Sequence, residues 1–190
     1  MNTNHMTADE IINAWCDNAL VERGANKVFP NVYAGSFEAD IMELSKSGYA
    51  TEYEVKVTRA DFRNDAKKQR TYAARPPESK YGILQEGGRV NRFCYIVPDG
   101  LIAKSDIPDF AGLVYAERIS AGYYSHEKGF YSKEKISFIT VKAAPLLTKE
   151  KISEKMIQKC LESTYYRFHE YRRRNAYREY LSNNKENEHK

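Results

Sequence analysis

The feature that most limits the fold is a pair of alternating segments, residues 37–44 (FEADIMEL) and 49–57 (YATEYEVKV), separated by Ser45-Lys46-Ser47-Gly48. Period-two alternation on both sides of a short polar link with glycine near its tip reads as a tight β-hairpin. If the hairpin is centred on residue 47, paired positions sum to 94 and Asp40 stands across from Glu54. Side chains alternate between the faces of a strand, so Glu38, Asp40 and Met42 share one face with Glu52, Glu54 and Lys56. The other face carries Ile41, Tyr53, Val55 and Val57 and is the one a core would cover. A slip of one residue would invert the arrangement, so the register is itself an expectation.

The flanking sequence supplies helices and further strands. Thr7-Ala-Asp-Glu10 has capping-box spacing ahead of Ile11, Ile12, Trp15, Ala19 and Leu20, which predicts a helix over 8–23 closed by Gly24. KVFPNVYAG reads as a short strand that Pro30 confines to an edge or a bend. Residues 58–73 read as a helix with Thr58 as N-cap, and ARPPESKYGILQEGG as a loop. Residues 92–97 (RFCYIV), 112–116 (GLVYA) and 136–141 (ISFITV) read as strands, with an irregular or hairpin insertion between the last two. From Lys149 the pattern is helical, with Ile152, Met156, Cys160, Leu161, Tyr165 and Phe168 as an apolar stripe. The order predicts a sheet with flanking helices, divided into a core over 1–148, a helical extension over 149–182 and a disordered polar tail over 183–190.

Composition narrows the function classes. No apolar run approaches the ~20 residues of a membrane span, and the first ten residues lack a basic-then-apolar leader, so the chain is expected to be cytoplasmic, without a membrane partner. Three scattered cysteines and four scattered histidines offer neither a disulfide framework nor zinc spacing. Net charge is +4, unevenly spread: residues 1–58 are net −5, residues 59–92 net +5 and residues 149–190 net +4. An acidic segment beside two basic ones fits a cation site next to a polyanion track; solvated surface charge gives the same arithmetic.

The chemistry-bearing residues are Asp40, Glu54 and Lys56. Two carboxylates facing each other across a hairpin repel unless a cation lies between them. Mg²⁺ suits such a place, because it prefers oxygen ligands, retains waters and uses one or two carboxylates. Lys56 on the same face could orient or deprotonate a water, or stabilise charge developing on a phosphoryl group. The same residues would also serve as an exposed hairpin face on which Lys56 pairs with Glu38 or Glu54.

Asp40-x13-Glu54-x-Lys56 on a hairpin between two helices resembles the PD-(D/E)XK nuclease superfamily. The resemblance runs through FEADIMELSKSGYATEYEVKVTRADFRNDAKKQ, and RFCYIVPDGLI, IPDFAGLVYA and VKAAPLL are similar to segments of compact MmcB-like and phage-encoded members. It covers residues 8–147, with one departure: Ala39 and Ile41 flank Asp40, so the motif proline is absent. The resemblance implies an α/β, restriction-endonuclease-like core, a mixed β-sheet flanked by helices, followed here by the long C-terminal helix. It further implies a metal-dependent deoxyribonuclease, endonucleolytic, serving DNA repair, recombination or phage DNA processing. Asp40 and Glu54 would ligate Mg²⁺ (Mn²⁺ substituting) together with the Val55 carbonyl, Lys56 would serve the water, and Glu22 on the first helix would add an acid. Glu38 and Glu52 would stand behind the ligands, while Glu43 and Asp61 read as structural.

Arg59, Arg63, Lys67 and Arg70 would form one stripe on a helix over 58–73, with Lys68 beside it, leaving the metal site toward a phosphate backbone. Arg172, Arg173 and Arg174, among Tyr171, Tyr177 and Tyr180, offer a second contact to nucleic acid or a partner surface. The expected partner is DNA, double-stranded or branched, and cutting both strands with one site per chain would call for a homodimer. Two other classes stay open: a non-catalytic nucleic-acid-binding or partner-binding protein on the same scaffold, and a structural protein that docks through its C-terminal helix.

Overall fold

A computed structural model describes residues 5–24, 27–33, 37–72, 75–87, 90–127 and 129–187. It is an α/β fold in which a mixed six-stranded sheet is covered by helices and a long helix closes the chain. The first helix, α1 (Ala8–Asp17), starts at the expected capping box: Thr7 Oγ1 accepts from the Glu10 amide at 3.2 Å and Glu10 Oε2 accepts from the Thr7 amide at 2.8 Å. A five-residue π turn (Asn18–Glu22) ends it, and Gly24 follows at φ 60°.

Strand β1 (Lys27–Tyr33) forms the sheet edge that Pro30 tolerates, and pairs antiparallel with β2 (Glu38–Leu44). The hairpin from β2 to β3 (Ala50–Val55) has the expected register: Ile41 with Tyr53, Met42 with Glu52, Glu43 with Thr51 and Leu44 with Ala50. Its turn is closed by a bond from the Ser45 amide to the Tyr49 carbonyl at 2.9 Å, with Gly48 at φ 86°. β3 then pairs in parallel with β6 (Arg92–Pro98), β6 in parallel with β7 (Ala111–Ser125), and β7 antiparallel with β8 (Gly129–Lys142). Residues 117–125 and 129–135 pair as a regular antiparallel ladder that runs past the β6 ladder, with Tyr123 stacked on Tyr131 and Tyr124 against Phe130.

Alternation divides the core in two. Ile41, Tyr53, Val55, Cys94 and Ile96 pack under α1 against Ile11, Ile12 and Trp15. Met42, Leu44, Phe93, Tyr95 and Leu113 pack on the opposite face, with Leu84 and Cys160. Gly112 lies on β7 where a Cβ would come within 2.7 Å of the Ala144 amide nitrogen. Gly112→Ala is therefore expected to destabilise the fold by about 1–3 kcal/mol, read from the urea midpoint.

The expected helix over 58–73 stops early. Helix α2 is Arg59–Asp65, capped by Thr58, whose hydroxyl accepts from the Asp61 amide at 3.1 Å. The Lys67 and Lys68 amides bond back to the Asn64 and Asp65 carbonyls, a tight turn that closes the helix. Residues 69–72 then become β4 (Gln69–Tyr72), paired with β5 (Arg75–Ser79). Pro76-Pro77 holds that second segment extended and so supplies a strand partner, which outweighs the helical propensity of KKQRTYA. Lys67 and Arg70 accordingly leave the expected stripe. The segment read as a loop also holds helix α3 (Lys80–Gln85), capped by Ser79 Oγ on the Gly82 amide at 2.9 Å.

Helix α4 is Glu154–Asn187. It continues through 183–187, part of the expected polar tail, because no glycine or proline follows Lys149; residues 188–190 lie outside the described residues. The expected apolar stripe is covered only in its first half, where Ile152 and Met156 pack and Cys160 is buried, while Leu161, Tyr165 and Phe168 are exposed. The Ile152 amide bonds the Gly48 carbonyl at the hairpin turn, and Arg167 pairs with Glu38 at the start of β2. The helix thus runs from the turn end of the hairpin to the Asp40 end. Its remaining 20 residues, Phe168 to Asn187, continue for ~30 Å.

Candidate active site

The hairpin register carries Asp40 to the position facing Glu54, at the end of the sheet where α2 and α3 begin. The antiparallel ladder ends at Ile41 and Tyr53, and beyond it the Val55 amide donates to Asp40 Oδ2 at 2.8 Å. The next amide, Lys56 N–H, points the other way, to the Ile96 carbonyl of β6 at 3.0 Å. In a trans peptide the carbonyl lies opposite the following N–H, so the Val55 carbonyl faces the Asp40 side. Two carboxylates and one backbone carbonyl therefore gather at one edge: the pair that the hairpin register predicts and the carbonyl that the resemblance implies.

Glu54 is 1% exposed and sits in a network much larger than the hairpin. Its Oε2 accepts from Lys56 Nζ at 2.6 Å, and its Oε1 accepts from Lys80 Nζ. Asp65, at the end of α2, is fully buried: its Oδ1 lies 2.8 Å from Lys68 Nζ and 3.3 Å from Lys56 Nζ. Tyr95 donates to Asp65 Oδ2 at 2.7 Å, so the 2.6 Å contact between the two tyrosine hydroxyls is a donation from Tyr81 to Tyr95. Lys80 Nζ also lies 3.5 Å from Glu52 Oε1 and 3.9 Å from Asp65 Oδ2. Four carboxylates and three ammonium groups share this space. Glu52 and Glu54 are placed there by strand alternation, Asp65 by the inward face of α2, and Lys80 by the Ser79 cap that opens α3.

Burial and charge act in opposite directions on these groups. Burial works against ionisation of Glu54, but Lys80 and Lys56 outweigh it and hold its carboxyl below the usual range. Asp65 is likewise desolvated, yet Lys80, Lys56 and Lys68 draw it down to about 2. Lys56, despite desolvation, is held above the ordinary lysine range by Glu54 and Asp65, so it remains an ammonium ion at neutral pH. Asp40 is the exception: desolvation first, then the Glu54 charge, raise it to about 6. A folded-state value above the unfolded one means that Asp40 binds its proton more tightly in the native protein. Its contribution therefore lowers stability as pH rises from about 4 to about 6. Urea midpoints measured across that window should show this slope in the wild type and its loss in Asp40→Asn.

Other expected site residues lie elsewhere. Glu22 is not brought to the cluster: it lies on the π turn after α1, over the opposite face of the sheet, beside Asn18 and 3.5 Å from Lys135. The helix that would carry it to the acids covers the Ile41/Tyr53 face instead. Glu38 pairs with Arg167 rather than standing behind Asp40, whereas Glu52 does belong to the network. Glu43 binds Arg23 at 2.8 Å and Asp61 accepts from Thr58 Oγ1 at 2.8 Å, both structural as expected. Of the basic set, Lys68 joins the site, while Arg59, Arg63, Lys67 and Arg70 are exposed. Arg172, Arg173 and Arg174 are exposed on α4 past Arg167, with Arg172 over the Phe168 ring and Arg174 on Glu170. Sequence reasoning missed Asp65, Lys80, Tyr81 and Tyr95. Lys80 carried one usable signal, its position directly after the cap residue Ser79 of Ser79-Lys80-Tyr81-Gly82.

No family model matches this chain, and no curated protein matches it. Among solved structures, a protein of unknown function from Silicibacter pomeroyi is similar, with a TM-score of 0.51 over 91% of this chain and 92% of that one. At 18% identity the likeness establishes a shared fold and nothing about chemistry. No helix among the described residues is long and apolar enough to cross a membrane.

No group of three or more His, Cys, Asp or Glu side chains among the described residues is placed to hold a metal ion. The Asp40 and Glu54 carboxylates with the Val55 carbonyl still fit a hydrated Mg²⁺, which takes one or two carboxylates and fills its remaining positions with water. Each ionised carboxylate has lone pairs beyond those used by Val55, Lys56 and Lys80.

Proposed function

We propose that this chain is a metal-dependent deoxyribonuclease on a restriction-endonuclease-like core of the PD-(D/E)XK type. The observation that carries the reading is Asp40 opposite Glu54, with the Lys56 ammonium 2.6 Å from Glu54 in a buried setting. Asp40, Glu54 and the Val55 carbonyl would hold Mg²⁺, which would supply Lewis acidity to a phosphodiester. Lys56 stays protonated, so its part is to steady negative charge on the reacting phosphoryl group rather than to remove a proton from water. Glu54 fixes the Lys56 ammonium, and Asp65 fixes it from the other side at 3.3 Å. Lys68, more exposed than either, stands at the mouth, where a phosphate would meet it.

Arg59 and Arg63 on α2 and Arg172, Arg173 and Arg174 on α4 past Arg167 are exposed positive charges, which suit a nucleic acid backbone. Double-strand cutting would then pair two chains. Titrating Mn²⁺ into the wild type and into Asp40→Asn tests the reading: binding in the first and its loss in the second is the expected result, and no binding in either overturns it.

One observation favours a second reading, a non-catalytic nucleic-acid-binding protein: both Glu54 oxygens already accept from lysines. That reading predicts DNA affinity that is indifferent to metal and unchanged in Asp40→Asn.

A further inference from the structure

The metal-binding edge of the proposed site is Asp40 and Glu54, but the deeper part of the network holds more acid. Glu52, Glu54 and Asp65 converge there, all at most 1% exposed. Three buried carboxylates need positive charge among them, and in two-metal phosphodiesterases a second divalent ion ~3.5–4 Å from the first supplies such charge. That place is taken. Lys80 Nζ bonds Glu54 and lies 3.5 Å from Glu52 and 3.9 Å from Asp65. Its ammonium also sits 5.0 Å from the centre of the Phe93 ring, and the side chain as a whole is 1% exposed. The Ser79 cap and the bond from the Lys80 amide to the Lys68 carbonyl at 3.0 Å fix the backbone from which the buried stem projects.

We propose that Lys80 is a permanent, covalently tethered cation that occupies the second cation position, so that the chain takes one divalent ion and not two. The inference rests on the metal-dependent reading above and adds its stoichiometry. Lys80 thereby acts as a positioning residue: it neutralises the shared Glu54 carboxylate from below and leaves the Asp40 side for the one ion. Electrostatics supports the exclusion, because a dication placed among Glu52, Glu54 and Asp65 would lie within a few ångströms of a fixed positive charge.

The test counts Mn²⁺ per chain by calorimetry and by the electron paramagnetic resonance signal of the free ion, on the full chain. One ion per wild-type chain is expected, falling to none in Asp40→Asn. Two ions per wild-type chain with metal-dependent cleavage would overturn the role of Lys80 while leaving the nuclease reading intact; none at all, with no cleavage, would remove that reading and this inference with it. Lys80→Gln, which keeps a polar side chain without the charge, should take up a second ion, and an unchanged count in a folded Lys80→Gln would overturn the proposal. Circular dichroism on the same samples reads folding, and a variant that folds only with Mn²⁺ present is also the expected result. If Lys80→Gln is unfolded with and without Mn²⁺, the wild-type count decides, one ion for and two against.

Discussion

Lys80→Ala is expected to lower the unfolding free energy by about 3–5 kcal/mol, as much as truncating a large side chain of the apolar core. Lys80 is 1% exposed, and three carboxylates at most 1% exposed surround its ammonium. Removing the ammonium leaves Glu54 and Asp65 to the cations Lys56 and Lys68, and Lys68 is partly in solvent. The loss should arise from charge rather than packing, so Lys80→Met, which keeps most of the stem against Phe93, should be almost as costly. Both variants should also regain stability as pH falls, because protonating a crowded carboxylate relieves the repulsion the missing lysine no longer offsets. An exposed pair such as Arg174–Glu170 makes the contrast, since its removal should change stability by less than about 1 kcal/mol. Urea midpoints with unchanged m-values measure all of these, and a Lys80→Ala loss below about 1 kcal/mol would show that the buried network is not what holds this face together.

The second large effect concerns activity. Glu54→Gln should abolish both Mn²⁺ binding and cleavage, since it removes a ligand and the anchor of two lysines at once. Lys56→Met should behave differently: Mn²⁺ binding is retained, while cleavage falls by about 10²–10³-fold, the usual cost of removing one preorganised charge from a transition state. The split between the two variants separates ligand from charge stabiliser. If Lys56→Met lost Mn²⁺ binding and cleavage in equal measure, the lysine would be serving the fold of the site and not the reaction.

The parts of the fold legible in the sequence are those governed by local periodicity. The capping box at Thr7, the register that sets Asp40 against Glu54, and RFCYIV as a strand follow from caps, alternation with a turn, and β-branched and aromatic content, and all are present. The central pair of the site was legible for the same reason, because both carboxylates lie on one hairpin. Asp65 and Lys80 were not, because long-range events place them. Asp65 joins because the inward face of α2 lies over β6, where Tyr95 bonds its carboxylate, and Lys68 joins because the chain turns after Asp65 into the strand that Pro76-Pro77 pairs with. Lys80 joins only because α3 begins at Ser79, inside a segment that reads as a loop. Glu22 illustrates the reverse error: its place near the end of the first helix was read correctly, but which face of the sheet that helix covers is set by the Ile41, Tyr53 and Val55 side chains.

The most direct test of the central claim is cleavage of a supercoiled plasmid and of linear duplex DNA by the purified full chain, with Mg²⁺, with Mn²⁺ and with chelator, beside Asp40→Asn in every lane. Nicking or cutting that requires the metal and disappears in Asp40→Asn is the predicted result. DNA that stays intact with either metal, or cleavage that survives in Asp40→Asn or in chelator, would contradict it.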